Sequence, residues 1–225
     1  MRIQSFEDFI TALKQAGFSI GSGNGEGVFS LCSRFGDKIR WHTGDPDTDP
    51  WEWRMRVLDE REDIAYAKVF FHKSGYITKE WYPCFLAVRR GGLAFEDEYE
   101  NGTISRLAKK VYYLIRENGS LPMHRIKKLG GFPREDNSAV ERALVELQMK
   151  MYITMCGYMR KVSRFGEEYG WYSTVFCTTE SYFGKEVFER EGQIREKEAI
   201  QKITDRIYRL NPAADGKKIL KFIKG

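Results

Sequence analysis

Apolar residues recur at helical spacing over much of the chain. Phe6, Phe9, Ile10 and Leu13 fall on one side of a helix that Ser5 can cap and Gly17 can stop. Between 105 and 151 the same period appears three times, over 105–117, 122–129 and 137–151. The first of these segments turns Leu107, Val111, Leu114 and Ile115 inward, and the third Val140, Ala143, Leu144 and Leu147. Asn118-Gly119 reads as a helix stop, Pro122 as a first-turn residue and Asp136-Asn137-Ser138 as capping chemistry. From 152 the pattern becomes β-rich. Two runs, 152–162 and 170–178, flank a charged tip that contains glycine.

Three helices followed by a hairpin, over 103–183, predict a winged helix. That geometry lays one helix in the major groove of double-stranded DNA and the hairpin on the backbone. The preceding hundred residues read as α+β. Trp51, Trp53, Met55 and Val57 alternate with Glu52, Arg54 and Arg56, which predicts a half-buried strand. The run 64–72, a turn at Lys73-Ser74-Gly75 and a return at 76–78 predict a hairpin beside it. Helices are expected at 29–35 and 80–89, the latter ended by Gly91-Gly92. The acidic, glycine-bounded 91–102 is the best linker, although Leu93, Phe95 and Tyr99 offer docking groups. A charged helix over 186–210 breaks at Asn211-Pro212, and 217–225 closes the chain as a short basic tail. The expected fold is therefore α+β: an N-terminal α+β domain over 1–100, a winged-helix domain over 101–184 and a C-terminal helical extension over 185–225.

Composition narrows the function classes. With 42% hydrophobic and 14% aromatic residues in 225, the chain can build a core. A formal net charge of +5 permits nucleic-acid binding without demanding it. Within 105–170, 13 Lys/Arg stand against 7 Asp/Glu. Arg134, Arg142 and Lys150 flank or sit on the third helix, and Arg160, Lys161 and Arg164 lie at the hairpin tip, positions suited to phosphate contacts. The competing reading makes these residues solvating groups on a protein–protein module. No apolar run is long enough for a membrane span, and the first helix carries acids, unlike a signal peptide. Four dispersed cysteines without C-x-x-C spacing argue against zinc and for a reduced, cytoplasmic setting. The glycine-rich 21–27 lacks both the Lys-Ser/Thr of a P-loop and a G-x-G-x-x-G pattern, so it reads as a turn.

The block 42–54 concentrates candidate chemistry: His42, Asp45, Asp47, Asp49, Trp51 and Trp53. It is not a calcium loop, because Pro50 stands where glycine is needed and Arg56 where glutamate is needed. A metal-nuclease reading lacks a second carboxylate group, so no metal is expected. A base-handling site fits better: a carboxylate supports a developing positive charge or positions water, with His42 beside it, while Trp51 and Trp53 stack on an extruded base. The alternative is an Asp-Pro turn feeding a core strand, with both tryptophans packed inside.

The pattern T-G-D-x-x-x-D-P-W-E-W-R at 43–54, followed by I-A-Y-A-K-V-F-F at 64–71 and G-Y-I at 75–77, resembles the AlkZ-related proteins. These look like short relatives of the AlkZ winged-helix DNA glycosylases. The resemblance implies a winged-helix scaffold, double-stranded DNA as partner and excision of an alkylated base without metal or other cofactor. The larger glycosylases carry a Gln-x-Gln or Gln-x-Asp catalytic motif. Here Gln4, Gln15, Gln148, Gln193 and Gln201 are not followed two residues later by Gln or Asp, so any catalytic carboxylate falls to Asp45, Asp47 or Asp49. The larger relatives also stack several winged helices, where this chain has one. Three functions follow in order: a DNA-binding protein related to repair glycosylases, a monofunctional glycosylase using 42–53, and a non-enzymatic regulator or adaptor.

Overall fold

In the computed structural model, which describes residues 2–225, the first helix, α1 (Phe6–Ala16), starts where the Ser5 hydroxyl accepts the Asp8 amide at 3.2 Å. It ends at Gly17, at φ 94°. A Cβ on Gly17 would come within 2.3 Å of the Trp81 ring, so close approach and left-handed backbone both require glycine there. Strand β1 (Phe18–Ile20) follows directly. The 29–35 segment supplies a single turn of 3-10 helix, Leu31–Arg34.

The expected Trp-bearing strand is instead helix α2 (Pro50–Glu60). Asp49 caps it and Pro50 occupies its first turn, two start signals that override the apparent alternation. Its buried residues, Pro50, Trp53 and Val57, are spaced by three and four, the helical interval. The expected hairpin is present as β2 (Ile64–Phe70) and β3 (Lys73–Thr78), with Tyr66 opposite Tyr76. Its neighbour on one side is β1 rather than a tryptophan strand.

Helix α3 (Tyr82–Arg89) starts two residues later than expected. The expected linker 91–102 contains helix α4 (Phe95–Glu100) and is docked. Phe95 is 2% exposed and stacks on Tyr112 at 3.8 Å and 16°. Next come α5 (Arg106–Asn118), β4 (Ser120–Pro122), α6 (Met123–Leu129), α7 (Asn137–Met149), β5 (Ile153–Val162) and β6 (Glu168–Thr178). In α5 the inward stripe is Ala108, Val111, Tyr112 and Ile115, while Leu107 and Leu114 are only partly buried.

All six strands form one antiparallel sheet in the order β1-β3-β2-β5-β6-β4. Its two halves join through Tyr66 opposite Met155. The sheet therefore runs across the boundary expected near residue 100. Beyond it lie α8 (Thr179–Phe183), α9 (Lys185–Glu191), α10 (Glu196–Leu210) and α11 (Gly216–Lys224). The long helix expected over 186–210 is two helices, interrupted around Gly192. The expected basic tail is an amphipathic helix capped by Asp215, with Ile219, Phe222 and Ile223 buried. Phe222 stacks on Phe70 of β2 at 3.9 Å and 6°. The buried Arg89 guanidinium donates to the carbonyls of Met149, Phe222 and Ile223 at 2.8–3.0 Å, tying the ends of α3, α7 and α11 together. Burial pulls its pKa down to about 10.

Candidate nucleic-acid interface

Helix α7 has the phase that its apolar period dictates. Val140, Leu144 and Leu147 are buried, while Arg142 and the preceding Arg134 are exposed. Lys150, at the end of the helix, is committed elsewhere: it pairs with Glu98 of α4. That carboxylate is itself buried and also accepts the hydroxyls of Thr103 at 2.7 Å and Tyr152 at 3.0 Å. Burial pushes the Glu98 pKa up, but Lys150 and the two hydroxyls outweigh it and hold it low. Gln148 takes the Lys68 amide of β2 at 2.9 Å, so the C-terminal end of α7 lies against the sheet. The exposed polar residues of α7 and its approach, Arg134, Glu135, Asp136, Ser138, Glu141 and Arg142, belong to its N-terminal half.

The β5–β6 hairpin carries the second group. Lys161 and Arg164 are exposed, whereas Arg160 is half-buried with its guanidinium 4.5 Å from the Tyr172 ring centroid. The hairpin also displays Phe165 at 75% exposure and Trp171 at 94%, with Tyr169 and Tyr172 beside them. Sequence reasoning missed these rings. The available signal was an aromatic run in a strand extending beyond the core-paired positions 175–178. Helix α6 joins this surface: the His124 amide donates to Ser173 Oγ of β6 at 3.3 Å. Burial, then the cations Lys161 and Arg125, push the His124 imidazole pKa down. His124, Arg125 and Lys161 thus share one field.

The 42–54 block divides. Asp49 is buried, and its carboxylate caps α2 and anchors the loop. One oxygen accepts the amides of Thr43 at 2.7 Å and Gly44 at 3.0 Å, the other that of Trp51 at 2.8 Å. Burial pushes its pKa up, but these amides outweigh burial and keep the carboxylate charged. Trp53 is 1% exposed, packed among Phe6, Phe9 and Phe35, and its indole N–H donates to the Asp47 carbonyl at 3.1 Å. Both are core residues of this fold.

The other members face solvent. Asp45 accepts the Thr48 hydroxyl at 2.7 Å and the Asp47 amide at 2.9 Å, which hold its pKa below the usual range. The Asp47 carboxylate makes no hydrogen bond among the described residues. Trp51 is 42% exposed, with the His42 ring 4.8 Å away and the Arg54 guanidinium 3.3 Å from its centroid. His42 adopts a left-handed backbone, φ 62°, uncommon for a non-glycine residue. Helix α2 links this patch to the hairpin, because Tyr158 of β5 donates to Asp59 at 2.6 Å.

Among the described residues, no three His, Cys, Asp or Glu side chains are grouped to hold a metal ion, and no helix is long and apolar enough to cross a membrane. No curated protein and no solved structure matches the chain. A family model described as AlkZ related matches residues 3–224. That match takes in the Trp-bearing helix, the shared sheet and the C-terminal helices alike, and the chain therefore belongs to the AlkZ-related family.

Proposed function

We propose that the protein binds double-stranded DNA through a winged helix formed within 101–184, as a member of a family related to DNA repair glycosylases. The observation that carries this reading is the hairpin: the cations Lys161 and Arg164 and the exposed rings of Phe165 and Trp171 stand on one projection. Supporting it is the chain order α5-β4-α6-α7-β5-β6, in which β4 returns to pair with β6. In this reading Arg134 and Arg142 face the duplex from α7, while Lys161 and Arg164 neutralise phosphates from the hairpin. Arg160 stiffens the hairpin through Tyr172, and Lys150 fixes the end of α7 through Glu98. The N-terminal α+β region, residues 1–100, and the helical extension, residues 185–225, buttress the module.

Titration of a fluorescent duplex over a range of salt concentrations tests the proposal. Affinity should fall linearly on a log–log salt plot and weaken for Lys161→Ala/Arg164→Ala on every duplex tried. Equal affinity for that variant and the parent at low salt removes the hairpin from the interface.

A second reading, glycosylase activity, rests on the Asp47 carboxylate, which accepts no hydrogen bond among the described residues, and on the solvent-facing rings of His42 and Trp51 in the same segment, 4.8 Å apart and tilted by 54°. An extruded base would stack on Trp51 while Asp47 or Asp45 stabilises charge at the sugar and orients water, with His42 alongside. Asp49 and Trp53 then hold the loop and the helix that carry them. Release of an alkylated base from duplex DNA by the parent, and its loss in Asp47→Asn or Asp45→Asn with folding intact, is the expected result. Activity undiminished in both variants ends the assignment.

A further inference from the structure

Two thiols meet at the root of the hairpin. Strand β5 bulges between Met155 and Gly157, leaving Cys156 as the unpaired residue, while Cys177 of β6 pairs with Thr154. Both line one cleft of about 560 Å³, with Asp59, Arg61, Ser181 and Tyr182. Cys156 is half-buried, so a small solute reaches it from the cleft, whereas Cys177 is buried. Cys156 Sγ is 3.7 Å from the Val175 carbonyl.

Cys177 stands opposite Thr154, two residues from Cys156, and both side chains line the same cleft. The neighbouring Cys177 thiol holds Cys156 below the usual thiol range against the opposing effect of burial, while Cys156 and burial push Cys177 up. Cys32 and Cys84 contrast with this pair: burial pushes both thiols up. A disulfide needs its Cβ atoms to approach within about 4 Å. The bulge supplies the local freedom for that approach, because the backbone of Cys156 is free of a paired register.

We propose that Cys156 and Cys177 form an oxidisable dithiol that a hydroperoxide converts to a cross-strand disulfide. The Cys156 thiolate attacks one peroxide oxygen. An S–O bond forms, the O–O bond breaks, and the departing oxygen leaves as water or an alcohol once protonated. Cys177 sulfur then attacks the Cys156 sulfenic acid. The S–S bond forms, the S–O bond breaks, and the hydroxyl leaves as water with the proton from Cys177. The two thiols together lose two electrons to the peroxide. The link encloses residues 157–176, the whole exposed tip, and the chemistry stands whether or not that tip contacts DNA.

The test treats the full chain with hydrogen peroxide, alkylates the remaining thiols and maps the digest by mass spectrometry. The expected product is one intramolecular cross-link joining Cys156 to Cys177, with Cys32 and Cys84 still alkylated, and complete reversal by dithiothreitol. Cys177→Ser should stop at the sulfenic acid of Cys156, trapped by dimedone. If that variant does not fold, limiting peroxide with dimedone present on the unaltered protein traps the same species. Four alkylated thiols after peroxide, a disulfide between separate molecules, or Cys156 carried to sulfinic acid without a cross-link overturns the proposal.

Discussion

Residues 41–54 and 160–172 both interleave aromatic rings with charged residues, yet a ring of the first is buried and the rings of the second stand open. Trp53 is 1% exposed and Trp171 is 94% exposed. Capping and period make the difference. Asp49-Pro50 starts a helix whose apolar residues fall on one face, and that face is pressed into the core. The hairpin outruns the sheet that could cover it: its strands are buried where β5 and β6 meet β2 and β4, and open towards the tip. An aromatic–charged cluster thus says little about binding until the element beneath it is known.

Truncation of each tryptophan should separate the two regions most widely. Trp53→Ala should cost about 3–5 kcal/mol in urea unfolding, the usual range for a buried aromatic ring. Trp171→Ala should stay within about 0.5 kcal/mol, as exposed positions do. A similar loss in both would mean that the hairpin is covered in solution.

The carboxylates give the next contrast. Asp49→Ala removes a cap and leaves three partly buried amides unpaired, so a loss of about 1–3 kcal/mol is expected. Asp47→Ala, at an exposed side chain, should lie within about 0.5 kcal/mol in the same assay. On the hairpin, Lys161→Ala/Arg164→Ala should reduce the slope of log affinity against log salt by about 0.9 for each phosphate no longer neutralised, with melting temperature nearly unchanged. An unchanged slope would assign these cations to solvation.

The smallest effect concerns acid. Burial pushes the Asp63 pKa up, but Arg61 and Lys14 outweigh it and bring it to about 2. An unfolded aspartate titrates near about 3.9. The stability contributed by Asp63 is therefore complete above about pH 4 and is lost as pH falls towards about 2. Asp63→Asn should flatten that region of the stability–pH curve, modestly, because the pair is partly solvated.

Legibility follows the strength of local signals. Ser5 and Gly17 mark α1 and Ser105 and Gly119 mark α5, where cap and stripe coincide, whereas α7 is marked by its stripe alone, since Asp136 makes no side-chain cap. The 50–60 segment mimics a strand because Trp51, Trp53, Met55 and Val57 alternate, while its helical face is carried by Pro50, Trp53 and Val57. The 217–225 segment reads as a tail because its lysines mask Ile219, Phe222 and Ile223, an i, i+3, i+4 stripe. Of the candidate interface, Arg134, Arg142, Lys161 and Arg164 face solvent as their positions suggest. The pairing of Lys150 with Glu98 joins residues far apart in the chain, which no local pattern encodes.

Helix α11 sets a schedule for the nascent chain. Phe222 stacks on Phe70 and meets Phe85 edge-on, and Arg89 finds two of its three acceptors at Phe222 and Ile223. At about 5–20 residues per second, a ribosome needs roughly ten to thirty seconds to travel from Phe70 to Phe222. During that interval β2 and α3 present bare rings and an unsated guanidinium. The first half of the molecule therefore matures last, and a holding chaperone would find its substrate there.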